Sequence, residues 1–257
     1  MHIAVVLRLV PDMAEELEIA GSGRDIDREW VGMKLNEFDD HALEEAVLLK
    51  ESAGASVTAL ALDGEGVDRM LQAAVARGVD RIAKIAHDDL PPLLAAGPAA
   101  QLVADAVRQL GADLVLTGVQ TPEDLGGQLA AVLGAVLDWP HLSAVAGVQR
   151  HEDGLVVRQE HSGGYATRVL VAPPVVLGIQ TASQPPRYVS GSKLRQAMGA
   201  KADEIAAAAA SAPVATVDSL APPPSTGGAT MWEGEADDVA EQFLALLRER
   251  GLLKGAA

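Results

Sequence analysis

The residues best suited to chemistry lie between Gln120 and Gln128, reading Q-T-P-E-D-L-G-G-Q. An apolar run, Ala112 to Gly118, precedes them, and an Ala/Leu-rich run, Leu129 to Leu137, follows. That order reads as strand, polar Gly-containing loop, helix. Such a loop presents backbone N–H groups at a helix N-terminus, where an anion is favoured. Gly126 and Gly127 would let the backbone come close to a ligand. The chemistry on offer is the holding of a phosphate. No Walker-type Lys and no G-x-G-x-x-G accompanies the loop. The same spacing also suits an ordinary strand-to-helix connection with Gly for its turn, and spacing alone leaves both readings open.

Other reactive groups offer less. His41, His87, His141, His151 and His161 lack metal-ligand spacing and read as satisfied or exposed histidines. Glu123-Asp124 resembles a paired acid site, but acidic residues at a helix N-terminus are ordinary capping chemistry. Glu44-Glu45 reads as a solvated helix face. No Ser stands in a recognisable nucleophile context. The residues support nucleotide holding, not bond-making.

The elements that must position this loop follow from composition and periodicity. The chain has 257 residues, 49 % of them hydrophobic and 3 % aromatic, so its core is built mostly from Ala, Val and Leu. Cys is absent, which excludes disulfides, thiolate metal sites, Fe–S clusters and a Cys nucleophile. A formal net charge of −16 opposes binding to nucleic acid or to an anionic membrane. The N-terminus begins directly as a strand with no basic region, and no apolar run reaches the ~18–20 residues of a membrane span. The expectation is a cytoplasmic protein without direct membrane insertion.

His2 to Val10 reads as one buried strand, and Ala14 to Trp30 as polar and irregular, with room for a short hairpin. Asn36 to Glu51 is a helix with acidic first turns and Lys50 in its last. Strands are expected at Ala55–Leu62, Arg81–Ala86 and Asp113–Gly118, and helices at Glu65–Arg77, Leu93–Leu110 and from the loop to Leu137. This alternation implies a doubly wound, mainly parallel, Rossmann-like α/β sheet with helices on both faces. A nucleotide would sit outside the carboxyl ends of its strands, in the loops holding Arg8–Asp12, Asp63-Gly64 and Gln120–Gln128. After Pro140, antiparallel strands at Val145–Gln149, Leu155–Glu160 and Tyr165–Val171, and a strand at Val175–Ile179, extend the sheet. Lys193 to Ala210 fits a helix, Ala221 to Gly228 a linker, and Asp237 to Arg250 an amphipathic helix. The expected organisation is an α/β domain over 1–183, a loop and helix over 184–205, and a C-terminal arm over 206–257 that packs on its own domain or on a partner.

Several segments, in order, resemble the β subunit of electron transfer flavoprotein. L-R-L-V-P-D at 7–12 is similar to the family's V-K-x-V-P-D, and N-E-F-D-D-H-A-L-E-E-A-V-L-L-K-E at 36–51 to N-P-F-D-x-x-A-V-E-E-A-x-x-L-K-E. A-V-A-R-G-V-D-R at 74–81 resembles A-L-A-M-G-A-D-R, and D-L-V-L-T-G-V-Q-T at 113–121 resembles D-L-I-L-T-G-K-Q-T. Q-P-P-R-Y at 184–188 is similar to N-E-P-R-Y. Each is weak alone; their order and spacing carry the resemblance. It implies an electron-carrier subunit, not an enzyme in itself, paired with an α subunit that bears the redox-active FAD. The β subunit would bury a structural AMP. The pair would take electrons from flavin dehydrogenases, including the acyl-CoA dehydrogenases of fatty-acid β-oxidation, and pass them to a membrane quinone oxidoreductase.

The resemblance places AMP against Val6 and Arg8, Asn36, Glu37, Phe38 and Asp39, Asp63, and the stretch Gln120, Thr121, Glu123, Asp124, Leu125, Gly126, Gly127, Gln128 and Leu129. Asn36 and Asp39 would fix the loop and the adenine side, and Gly126 to Leu129 would supply amides to the phosphate. Partner recognition falls to Pro186, Arg187, Tyr188, Gly191 and Lys193. The chain departs from the family pattern at Glu37 (usually Pro), Val119 (Lys) and Leu125 (often Asp), so contacts at 119 and 125 would be made by backbone. Gly191 replaces the family's Leu anchor, and the basic stretch beyond it shrinks to Lys201, which implies an altered partner set. Other readings differ in class: a bifurcating-type β subunit with a second FAD, an ATP-binding stress-protein-like regulator, or a subunit that has lost its nucleotide. The regulator would want a G-x-x-G-x-[ST] or S-G-G-x-D motif, and neither is present.

Overall fold

A computed structural model describes residues 1–87, 96–124, 126–207, 217–224 and 227–253. Two compact units result, Met1–Leu220 and Ala221–Ala257. The first is built on a nine-stranded sheet. Its centre is β1 (His2–Val6), flanked in parallel by β4 (Ser56–Leu62) and β6 (Leu114–Gly118). Beyond β4 lie β5 (Arg81–Ala86) and β11 (Asp203–Ala206), and beyond β6 lie β10 (Val175–Ile179) and β7 (His141–His151), all parallel. Two antiparallel strands, β8 (Gly154–Glu160) and β9 (Ala166–Val171), close the far edge. The order β11-β5-β4-β1-β6-β10-β7-β8-β9 is the doubly wound, mainly parallel sheet with an antiparallel extension that the alternation implied.

Strand alternation sorts the core into two layers. Ile3, Val5, Leu114 and Leu116 face one side with α1 (Glu37–Ala53) and α2 (Val67–Arg77). Ala4, Val6 and Val115 face the other with α3 (Ala96–Leu110) and α4 (Leu129–Leu137). Small side chains such as Ala100, Ala104 and Ala130 are fully covered, so an aromatic-poor sequence still fills its interior. Left-handed residues end the helices where the sequence places glycine: Gly54 closes α1 and Gly78 closes α2.

Three expectations need correction. The run His2–Val10 is not one strand. Leu7 N–H still bonds the Leu60 carbonyl, but the chain then turns at Arg8, and β2 (Leu9–Pro11) pairs antiparallel with β3 (Met33–Leu35). The strand expected at Val145–Gln149 starts at His141 and pairs in parallel with β10 before pairing antiparallel with β8. α4 ends at left-handed Asp138, and the short turn through Pro140 delivers the chain straight to the sheet. The helix expected over Lys193–Ala210 is a short α5 (Gly191–Ala197) followed by β11. The open edge of β5 offers hydrogen bonds that override the helix propensity of alanine. The first three residues of the expected Leu93–Leu110 helix and the last three of the expected Lys193–Ala210 helix lie outside the described residues. Ala14 to Trp30 holds an isolated antiparallel bridge, Ile19 with Ile26.

The second unit contains α6 (Ala236–Glu249), no residue of which is buried. Trp232 meets Phe243 edge to face at 6.2 Å between ring centres. Among the described residues no helix is long and apolar enough to cross a membrane.

Candidate functional site

Strand order reverses beside β1, since the chain builds β4 and β5 on one side and then returns to place β6 on the other. A crevice outside the carboxyl ends of the strands is the geometric consequence. There lies a cavity of about 460 Å³, within the ~300–1,000 Å³ of small-molecule sites. Its walls come from the ends of β1 and β4, the residue after β5, the loop after β6 and the starts of α3 and α4.

Of the expected nucleotide residues, Val6, Arg8, Asp63, Thr121, Glu123, Asp124 and Leu129 line this cavity. Asn36, Glu37, Phe38, Asp39, Gln120, Gly126, Gly127 and Gln128 are not among its walls. Leu125 lies outside the described residues. Several of the absent group act on the walls from behind. The Asp39 carboxylate, 0 % exposed, accepts from Arg8 N at 2.9 Å, Arg8 Nε at 2.9 Å, Arg8 Nη2 at 2.7 Å and Gly118 N at 2.8 Å. Arg8 Nη2 also donates to the Gly118 carbonyl at 3.0 Å. One carboxylate thus ties the exit of β1 and the end of β6 to the first turn of α1. The contact is so close that a Cβ on Gly118 would sit 2.3 Å from Asp39 Oδ1. Asn36 Nδ2 donates to the Gln120 carbonyl at 2.9 Å and fixes the start of the loop.

The loop itself is internally braced. Thr121 Oγ1 accepts from Asp124 N at 2.9 Å, and the Asp124 carbonyl accepts from Gly127 N at 3.1 Å. Gly127 has φ +58°, and a Cβ there would lie 2.9 Å from the Val119 carbonyl oxygen, so glycine is required twice over. The chain then enters α4 at Leu129, whose first-turn N–H groups have no intrahelical partners. Charge in the cavity is mostly acidic: Asp63, Glu65, Glu123 and Asp124 face Arg8 and Arg28. Both arginines are already engaged, Arg8 by Asp39 and Arg28 by Asp25 and Glu123. Burial disfavours the Arg28 cation, but hydrogen bonds from it to Asp25 and Glu123 outweigh that and hold it protonated. An anion at α4 would therefore rest on backbone amides and not on a free cation.

Sequence reasoning missed Arg28 and His87. Arg28 sits in the irregular stretch before β3, where only its pairing with Glu123 marks it. His87 follows β5 directly, and position at a strand's carboxyl end was the available signal. His87 Nε2 lies 2.9 Å from the Asp63 carbonyl, while its Nδ1 is buried without a partner among the described residues. This histidine is thus only half satisfied, contrary to the expectation.

The segment expected to recognise partners hangs on α1. Glu44 and Glu45 are buried, not solvated. Glu45 accepts from Val148 N and Ser183 N, each at 2.6 Å, and from Ser183 Oγ at 3.0 Å. Burial pushes its carboxyl above the usual range against these donors. Glu44 accepts from Arg187 N at 3.0 Å and Nη2 at 2.8 Å, and Glu51 from Arg187 Nη1 at 2.6 Å. Arg187 is therefore an anchor, which its two carboxylate partners hold firmly protonated. Tyr188, 91 % exposed, projects beside it. Pro186 is half-buried, and Gly191 and Lys193 are exposed in the first turn of α5, capped by Ser190.

With this geometry in hand, relatives locate the chain. A family model described as the electron transfer flavoprotein domain matches residues 25–213. Electron transfer flavoprotein subunit beta of Methylophilus methylotrophus is 29% identical over the whole of both chains. The mitochondrial subunit beta of Oryza sativa subsp. japonica is 31% identical over 74% of this chain and 76% of the relative. The Homo sapiens subunit beta is 29% identical over 80% of this chain and 81% of its own. The chain belongs to the electron transfer flavoprotein family, as a β subunit.

Proposed function

We propose that this chain holds a structural AMP in the cavity at the ends of β1, β4 and β5, and serves electron transfer as half of a heterodimer. The α subunit carries the FAD. Electrons enter from flavin dehydrogenases of the acyl-CoA type and leave to a membrane quinone oxidoreductase, with the heterodimer acting in the cytoplasm. The observation that carries the nucleotide is the cavity itself: about 460 Å³, floored by a braced loop and a helix N-terminus, and with no free Arg or Lys on its walls among the described residues. Such a site binds and does not react. The Arg28–Glu123 pair and the Asp39 hub brace its walls.

The segment 184–205 meets the electron-donating partners, with Arg187 anchoring it and Tyr188 offered to solvent. Helix α6 packs its Val239, Phe243, Leu246 and Leu247 side on the α subunit. Removing AMP from the heterodimer tests this division of labour. The expected result is a lower Tm, since a ligand that binds only the folded state stabilises it, with flavin reduction per intact heterodimer unchanged. A slower flavin reduction in intact, nucleotide-free heterodimer would contradict a purely structural AMP.

A further inference from the structure

We propose that the Arg28–Glu123 ion pair limits the cavity to a nucleotide with one phosphate, because Glu123 cancels the arginine charge that a second phosphate would need. The inference rests on the nucleotide reading above and names the residues that set its phosphate count. Both side chains line the cavity and both reach solvent, Arg28 at 30 % and Glu123 at 22 % exposure. An occupant therefore meets either charge directly. Glu123 stands in the loop ahead of α4, and Arg28 comes from the irregular stretch ahead of β3, 95 residues earlier. Arg28 also donates to Asp25, from Nε at 3.2 Å and from Nη2 at 3.3 Å, so Glu123 is its closer partner. Two carboxylates thus share one guanidinium, and the cluster is negative as a whole.

The remaining walls do not restore the balance. Arg8 is committed to the buried Asp39. Glu65 and Asp124 bring further carboxylates, and Asp63 brings one that Lys84 meets at 3.1 Å. The stretch 88–95 and position 125, outside the described residues, contain no Lys or Arg in their sequence. What favours an anion is the start of α4, with its first-turn amides and about half an elementary charge of helix dipole. That suits one phosphate group, which carries about −1.5 to −2 near neutral pH. A second phosphate adds negative charge that meets carboxylates. A released Arg28 would change this, since a guanidinium fork matches phosphate oxygens in pairs.

Three substitutions separate the two charges. Glu123→Gln keeps the side-chain size and leaves Arg28 only its longer Asp25 contacts. Arg28→Gln bares Glu123. The double variant removes both charges. Nucleotide-free heterodimers are titrated calorimetrically, without magnesium, with AMP, ADP and ATP. Wild type is expected to bind AMP more tightly than ADP, and ATP more weakly still. In Glu123→Gln the ratio of ADP to AMP affinity is expected to rise by roughly tenfold, a fraction of what one charge gives at ~4 Å under an effective permittivity of ~20, since both side chains are part-exposed. Arg28→Gln is expected to lower that ratio, and the double variant to return it near wild type. Each ratio compares two ligands on one heterodimer, so a general loss of stability does not mimic it. A wild type without preference for AMP over ADP, an unchanged ratio in Glu123→Gln, or a double variant that behaves like Glu123→Gln would overturn the role of the pair while leaving AMP binding intact. A wild type that binds none of the three would overturn the nucleotide reading itself.

Discussion

At the residue scale, the site depends on single atoms that satisfy several others. Asp39 takes four N–H donors with no exposure to water. Asp39→Ala leaves the part-buried Arg8 cation and the Gly118 N–H unpaired. The expected loss in chemical denaturation is roughly 3–5 kcal/mol, the cost of breaking a buried ion pair from one side. A loss below about 1 kcal/mol, that of an exposed pair, would show that the hub does not carry the fold. Gly191 is the opposite case. It is exposed, and a Cβ there would meet nothing nearer than Arg195 Nη1 at 3.6 Å. Gly191→Leu therefore folds unchanged. If this position anchors dehydrogenases in relatives, restoring Leu raises affinity for an acyl-CoA dehydrogenase about tenfold or more, as burial of one Leu at roughly 1.5–3 kcal/mol allows. An unchanged affinity and rate would count against recognition through this residue.

At the element scale, α1 is the keystone. Its first turn holds β1 to β6 through Asp39, its middle holds β7 and the segment beyond β10 through Glu44 and Glu45, and its last turn adds Glu51 to that segment's anchor. The two titrating carboxylates work in opposite directions. The hydrogen bond from Arg187 holds the Glu51 carboxyl below its ordinary 4.5. Its contribution is present above that pH and is lost as pH falls through the lowered value. Burial raises Glu45, so its contribution is present below 4.5 and is lost as pH rises through the raised value. Hydrogen exchange over residues 184–190, corrected for intrinsic rates, is expected to lose protection as pH falls below about 4.5. In Arg187→Ala that protection is expected to be low throughout. A wild-type pH response retained in Arg187→Ala would contradict the anchor.

Much of this framework was legible from the sequence. The ranges expected for β5 and β10 coincide with the strands observed; β10 is fully buried and reads as a plain apolar run, and β5 buries Ile82, Ala83 and Ile85 between polar residues. Where tertiary context decides, the pattern misled. Arg8 ends β1 because Asp39, distant in sequence, takes it. Asp203–Ala206 becomes a strand because β5 leaves an edge open. Glu44 and Glu45 look like solvent-facing acids until their donors arrive from residues more than a hundred positions away. Of the expected residues, Val6, Asp63 and Thr121 line the cavity, whereas Arg28 and His87 stand alone in their local sequence and become visible only through what they face.

At the scale of the whole molecule, the fold puts its two tasks in different places. The strand ends make a cavity whose arginines, among the described residues, are engaged, and α1 anchors away from it the segment proposed to meet partners. On the proposed reading, a β subunit built this way would hold a nucleotide without using it and contribute to electron transfer by assembly. That claim is tested most directly by releasing and counting the nucleotides of the purified heterodimer. One AMP and one FAD per heterodimer is the predicted result. Two flavins, or no adenine nucleotide beyond the α-subunit FAD, would contradict it.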